Sequence, residues 1–401
     1  MKVVFVSNDF RVYWKGRLIY LHEYLAGKNI QLQVIELFGI DSAYSFDDYN
    51  NSFQWWECLF PDKGVAELTN QEITSSLFLK LDQAQPDIII ASPITFFAGA
   101  LSLRWAKLNR KKLIMFDDAK PLIQFKRNFV VRSIRDLLTQ QIDGFWLPSN
   151  DYDTAYPALD KKKILFFYGY SCINNNLFKV SQKKEFTHQS IICVARLVPV
   201  KNLDNLLKAW QLVEKENAKY KLVIVGDGSA YDSLNNLAND LNLTQVQFVG
   251  TISNDQLPEF YFNADAFILP SLSETWGLVV NEAMAAGLPI LLSNKINATH
   301  TLLKEGINGF SFDPYDVEAM ADAILNYINL DIQTKENMSA QSLKIIGEMD
   351  YVNMGTQLME ALNKISNQKF KRANTLAMAI INLWNGNHNT AGWDTLDSLA
   401  I

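Results

Sequence analysis

The chain has 401 residues and a formal net charge of −6, with 43 Asp and Glu against 37 Lys and Arg. That length exceeds one ordinary core, so two domains are expected, and the acidic balance excludes a protein whose main partner is nucleic acid, since binding a phosphate backbone needs a sustained excess of cations. Cys58, Cys172 and Cys193 are scattered, with neither metal-site spacing nor a disulfide framework, which fits a reducing cytosol.

The opening run from Met1 to Asp9 is too short an apolar stretch for a signal peptide and reads as a first buried strand. Nothing reaches the roughly 18 uninterrupted apolar residues of a membrane span; the nearest stretch, 373–384, is broken by Asn374 and Asn382. Membrane contact is therefore expected to be at most peripheral, and the location cytoplasmic or peripheral at the inner face of the membrane.

Short apolar runs alternate with segments of helical period, the pattern of parallel strands joined by crossover helices. In the first half the predicted strands are 3–6, 33–37, 87–91, 112–115 and 144–147. Residues 44–60 break the rhythm with Tyr44, Phe46, Tyr49, Phe53, Trp55 and Trp56, read as an irregular aromatic cluster under a loop or an acceptor-binding element. Cations crowd the same half: Arg104, Lys107, Arg110, Lys111, Lys112, Lys120, Lys126, Arg127, Arg132 and Arg135. They read as a solvated face, with anionic lipid or an acidic acceptor as the alternative.

The chain turns polar near 174–187, which sets the boundary: an N-terminal domain over 1–178, with the C-terminal helix 369–401 as a candidate completion, and a C-terminal domain over 188–368. The second half restarts with predicted strands 190–194, 221–225, 246–249, 266–269 and 289–292. The fold class is α/β, two Rossmann-like doubly wound domains. Ligands bind such sheets beyond their C-terminal strand edges, and two of them facing each other are expected to enclose a cleft.

The most informative stretch runs from Leu269 to Pro289: a strand ends at Pro270, a polar turn carries Glu274, Thr275, Trp276, Gly277 and Leu278, and a helix follows with Glu282 on it. The free N–H groups and positive dipole at that helix start suit a pyrophosphate. The two carboxylates, as acceptors, suit hydroxyls of a sugar and a ribose; two solvated helix charges are the plain alternative. A second signal is Arg196 at a strand end and Lys201 in the loop after it, two fixed cations of the kind a departing nucleoside diphosphate needs where no metal neutralises it. A third is Gly226-Asp227-Gly228 after a strand, read as permitting close backbone approach to a ligand. The full dinucleotide fingerprint fails at Tyr231, and no Walker A lysine is present.

Ala195-Arg196 with Lys201, Gly226-Asp227-Gly228, Phe248-Val249-Gly250, Leu269-Pro270-Ser271, Glu274 to Glu282 and Asn308-Gly309 come in an order that resembles glycosyltransferase family 4 of the GT-B fold, over about 190–316. The resemblance implies a retaining, metal-independent transfer of a hexose-type sugar from a UDP- or GDP-sugar, with no other cofactor. It implies that Arg196 and Lys201 hold the diphosphate, Glu282 binds the ribose, Glu274 faces the donor sugar and residues 275–278 face the phosphates. The acceptor (a sugar, a lipid-linked glycan or a small molecule) is not specified. The N-terminal half departs from the family: Asn8 to Gly16 has one glycine where many relatives have a glycine-rich loop, and Asp117 or Asp118 stands where many carry a His, as a stand-in or as a cap of the next segment. Asp151-Tyr152-Asp153 imitates a metal-binding Asp-x-Asp but reads as a helix opening, and no metal site is expected. His22, His188, His300 and His388 read as structural or exposed. A nucleotide-sugar epimerase and a non-catalytic binding protein on the same scaffold are the rival readings.

Overall fold

A computed structural model describes residues 1–10, 13–40, 53–118, 129–179 and 186–387. These form two compact units, residues 1–171 with 351–387, and residues 172–350.

Unit 1 is built on a parallel sheet of seven strands: β1 (Lys2–Ser7), β2 (Gln31–Phe38), β3 (Trp56–Phe60), β4 (Ile88–Ala91), β5 (Lys112–Phe116), β6 (Gly144–Leu147) and β7 (Leu165–Tyr168), in the order β3-β2-β1-β4-β5-β6-β7. Its central strands are apolar on both faces because helices cover both: Val3, Val4, Phe5 and Val6 of β1 and Ile89, Ile90 and Ala91 of β4 have no exposed surface. The helices follow from local chemistry. Asn70–Ala84 starts at a capping box, where Thr69 Oγ1 accepts from Glu72 N (3.2 Å) and Glu72 Oε2 accepts from Thr69 N (2.8 Å). It then buries Ile73, Leu77, Leu81 and Ala84, one stripe at helical spacing, and stops at Gln85 in the left-handed region.

Residues 351–387 complete unit 1. Helix Tyr351–Ser366 packs on helix Tyr13–Ala26 and on β7, with Gly355 against the rings of Tyr20 and Tyr24. The sequence reading extended the second domain to residue 368; the structure moves this helix to unit 1, because its apolar stripe Met354, Leu358, Leu362 and Ile365 covers the first sheet. Helix Thr375–Leu383 packs on helices Phe97–Leu108 and Phe129–Thr139. The expected basic cluster is divided. Arg104 donates to Ile381 O (3.0 Å), Trp384 O (2.9 Å) and Asn385 Oδ1 (2.7 Å), Lys107 to Lys371 O (3.3 Å) and Lys112 to Lys369 O (2.8 Å). These three cations turn inward to satisfy carbonyls of the returning chain, while Arg110 and Arg132 are exposed. Lys120, Lys126, Arg127, Tyr44, Phe46, Tyr49 and His388 lie outside the described residues.

Unit 2 is built on a parallel sheet of six strands: β8 (Ser190–Val194), β9 (Lys221–Val225), β10 (Val246–Gly250), β11 (Ala266–Leu269), β12 (Ile290–Ser293) and β13 (Gly309–Phe312), in the order β10-β9-β8-β11-β12-β13. This is the dinucleotide-fold order, and the strand order reverses between β8 and β11. Helix Leu203–Glu216 buries Leu203, Leu206, Leu207, Trp210 and Val213 on one face, and helix Val317–Ile328, capped by Asp316 Oδ1 accepting from Ala319 N (2.9 Å), lies against it. All ten predicted strands form; β3, β7 and β13 are additional, and β3 takes in the end of the segment read as irregular.

Candidate functional site

The site of unit 2 stands where its strand order reverses. The loop after β8 carries Arg196, half-buried, then a 3-10 turn Pro199–Lys201, then Asn202 at φ 57°. The loop after β11 carries Ser271, Glu274 and the turn to helix Leu278–Ala285. Buried Asn202 fastens the two together: its Nδ2 donates to Pro270 O (3.2 Å) and Pro314 O (2.7 Å), and Leu272 N donates to Val200 O (2.9 Å). Lys201 Nζ forms an ion pair with Glu274 Oε1, which also accepts from Ser271 Oγ (2.8 Å). Two residues 73 positions apart are thus locked at one strand edge, the ammonium fixed by the carboxylate rather than waving in solvent. Beside them, burial pushes the Cys193 thiol up to about 12, so it is an inert core residue.

Gly277 sits at φ 96°, a conformation an L side chain resists, and lets the turn lead straight into the helix without a side-chain cap. Val280 N donates back to Gly277 O (2.9 Å), and the N–H groups before it in such a helix have no intrahelical acceptor. The neighbouring residues do different things. Thr275 O accepts from Asn297 Nδ2 (3.0 Å), and Trp276 is buried with its Nε1 donating to Asn281 Oδ1 (2.9 Å), so this tryptophan shapes the turn from beneath. Glu282 is 4% exposed and its Oε2 accepts from Tyr261 O–H (3.0 Å).

The two glycines of Gly226-Asp227-Gly228 lie against the backbone of the loop after β8. A Cβ on Gly226 would overlap the Ala195 carbonyl oxygen, and one on Gly228 would lie 2.5 Å from Leu197 O. Ala195 N donates to Val225 O (3.1 Å) and Leu197 N to Asp227 O (2.9 Å). The glycines therefore admit the Arg196 loop itself, which fixes that cation in place. Asp227 is exposed, its Oδ1 accepting from Gly228 N (2.7 Å). Asn308-Gly309 is likewise internal: Asn308 bonds Lys304 N (2.7 Å) and Leu302 O (3.1 Å), and Gly309 lets β13 approach Ile290 of β12.

In unit 1, Asp117 ends β5, is 5% exposed and accepts from Tyr156 O–H. Burial and then this carboxylate push the Tyr156 phenol well above its ordinary value. Asp118 is half-buried near Tyr170, whose phenol is raised by burial and by both aspartates. Asp153 binds Lys161 and Tyr168 O–H (2.9 Å), Asp151 accepts from Ser149 Oγ (3.3 Å), and among the described residues no group of His, Cys, Asp and Glu could hold a metal. The roles of Asn202, Ser271 and Tyr261 are not legible from sequence, although Ser271 falls within the Leu269-Pro270-Ser271 motif; an asparagine at a loop-to-helix junction is the signal that could have found the first of them.

Residues 175–345, within unit 2, match the family described as Glycosyl transferases group 1. An uncharacterized glycosyltransferase of Haemophilus influenzae is 32% identical over 172 residues, which cover 42% of this chain and 48% of that protein. The poly(glycerol-phosphate) alpha-glucosyltransferase of Bacillus subtilis is 21% identical over 92% of this chain and 51% of its own length. The chain thus spans about half the length of these relatives. Among solved structures, the Anabaena protein HepE in complex with UDP superposes with a TM-score of 0.70 at 18% identity, covering 91% of this chain and all of that one. The fold is that of the GT-B glycosyltransferases.

Proposed function

We propose that the chain is a retaining glycosyltransferase of the family 4 kind that moves a hexose-type sugar from a UDP- or GDP-sugar to an acceptor, without a metal. The observation that carries the reading is the junction of the Arg196–Lys201 loop with the Glu274 turn at the strand-order reversal of a unit that matches the group 1 glycosyltransferases. As the sugar–phosphate bond breaks, negative charge grows on the leaving diphosphate. Cations held before the reaction stabilise that charge without reorganising. Lys201 is preplaced by Glu274, Arg196 by the glycine-lined loop, and the start of the helix at Leu278 adds backbone N–H groups. Glu282 then takes the ribose hydroxyls, exchanging its bond from Tyr261, and Glu274 faces the donor sugar. HepE was solved with UDP and with UDP-glucose, which supports a nucleotide-sugar donor. Asp118, less buried than Asp117, is the better placed of the two for an acceptor hydroxyl in unit 1.

Among the described residues no helix is long and apolar enough to cross a membrane; a location in the cytoplasm or peripherally at the inner membrane face is part of the proposal. The test is a panel of UDP- and GDP-sugars incubated with the purified chain, reading release of free nucleoside diphosphate. One donor is expected to be hydrolysed slowly and to transfer faster once an acceptor is supplied. A product that is an isomerised nucleotide sugar would assign an epimerase instead, and binding with no turnover of any donor would assign a non-catalytic binding protein.

A further inference from the structure

Unit 1 carries apolar surface that its own packing leaves outside. Among the described residues the two most exposed large hydrophobics are Leu383 (82%) and Phe129 (72%), and Leu376 (64%), Val130 (58%) and Val131 stand beside them on the same two helices. Helix Thr375–Leu383 buries Ala377 and Ile381 and turns Leu376, Ala379 and Leu383 outward, one apolar stripe at helical spacing facing solvent. Helix Phe129–Thr139, packed against it, buries Leu138 and Thr139 at its end and exposes Phe129, Val130, Val131 and Arg132 at its start. An outward apolar stripe is the reverse of what a solvated surface helix shows.

The charge around it is mostly positive. Residues 97–112 and 367–387 hold no aspartate or glutamate, and helix Phe129–Thr139 holds one, the half-buried Asp136, although acidic residues outnumber basic ones in the chain as a whole. Three of their cations, Arg104, Lys107 and Lys112, are bound within the fold. Arg110, Arg132, Lys369 and Arg372 remain exposed in these stretches, and Lys371, also exposed, donates to Gln140 O (2.8 Å).

We propose that this face of unit 1 docks the protein onto an anionic lipid bilayer, with Leu376, Leu383, Phe129 and Val130 entering the boundary between headgroups and acyl chains and the exposed Arg and Lys lying on the phosphates. Apolar insertion joined to attraction by several cations is the combination that makes interfacial binding stable and reversible. A second copy of the chain would cover the apolar residues equally well but would bring the same mostly positive charge against itself. The bilayer answers both features. This assignment is independent of the sugar-transfer reading.

The experiment is flotation of the full chain with vesicles of phosphatidylcholine alone and of phosphatidylcholine mixed with phosphatidylglycerol, at low and high salt. Binding is expected on the anionic vesicles at low salt and is expected to fall with salt. Phe129→Asn with Leu383→Asn, both on exposed positions, is expected to weaken it at least about tenfold. Arg132→Gln with Arg372→Gln is expected to weaken it by roughly fivefold per charge. Both pairs should melt as the unaltered chain does, which separates lost docking from lost fold. No binding to anionic vesicles, equal binding to neutral ones, or unchanged binding of the Asn pair would overturn the proposal. A concentration-dependent dimer abolished by the Asn pair would assign the face to a second copy.

Discussion

Replacing Gly228 by alanine tests whether the glycine turn after β9 exists to hold the Arg196 loop. The new Cβ would lie 2.5 Å from Leu197 O and 2.8 Å from Leu197 C and N, where carbon contacts are comfortable only at about 3.5–4.0 Å. All three neighbours are backbone, so no side chain can swing aside. Leu197 cannot retreat cheaply either, because its N–H donates to Asp227 O (2.9 Å) and its carbonyl accepts from Ala230 N (2.8 Å). Overpacking of roughly 1–3 kcal/mol plus one or two weakened backbone hydrogen bonds at about 1 kcal/mol each gives about 2–5 kcal/mol. In a unit of about 180 residues that is a fall in melting temperature of roughly 5–15 °C. Gly250→Ala is the control: its φ of 82° is disfavoured for alanine, but nothing lies within 4 Å of the added carbon, so it carries only the conformational cost of about 1–2 kcal/mol. Melting by circular dichroism and UDP titration by calorimetry are the assays. Gly228→Ala should melt lower than Gly250→Ala and lose more than about tenfold in UDP affinity, because Arg196 moves with the loop. If it melts no lower than the control, the close approach is not what the glycine serves.

Arg196→Ala and Lys201→Ala should each lower kcat by roughly 10²-fold or more, the scale set by loss of one preorganised electrostatic donor. Glu282→Gln should instead weaken donor binding with little change in kcat, since ribose hydroxyls change little during reaction; wild-type turnover by both cation variants would move the donor site elsewhere. Stability should decline as pH rises above about 10. Burial raises the phenols of Tyr156, Tyr170 and Tyr327 well above that value and Tyr220 to about 12, so the unfolded chain releases their protons first and binds fewer than the folded one. Urea unfolding between neutral and strongly alkaline pH measures the slope, and Tyr156→Phe should flatten it; an unchanged slope would show that Tyr156 does not contribute. Activity should survive EDTA, as expected where Arg196 and Lys201 supply the positive charge; loss on chelation with recovery on added magnesium or manganese would refute metal independence.

The sequence reveals the central strands because parallel strands buried on both faces are short unbroken apolar runs. It hides β3 and β13 for a matching reason. Each has four or five residues and a partly exposed face, as in Trp56–Phe60, where only Trp56 is buried, so neither alternation nor a continuous run marks it. β7, by contrast, is the unbroken apolar run Leu165-Phe166-Phe167-Tyr168, as legible as the central strands. The helix at Tyr351–Ser366 is plain from its period, but which sheet its stripe covers depends on the rings of Tyr20 and Tyr24, more than 300 positions earlier. In the site, Arg196, Lys201, Glu274 and Glu282 are legible as charges at strand ends and helix starts. Their connections are not. The ion pair of Lys201 with Glu274 and the clasp of Asn202 exist only once strand order places β8 beside β11, and the same order decides that the glycines at 226 and 228 meet a protein loop.

Unit 1 is assembled from two separated pieces of chain, with all of unit 2 between them. A ribosome delivers residues 1–171 first, yet the helices that cover β7 and the segment that binds Arg104, Lys107 and Lys112 emerge only after residue 350. At usual synthesis rates the intervening stretch takes roughly 10–40 s, during which the first sheet lacks one of its coverings and three of its cations have no carbonyls to bind. Unit 2, continuous in sequence, can close on itself in that interval. The order of maturation is thereby inverted relative to the order of synthesis: the half proposed to bind the donor is complete before the half that begins the chain.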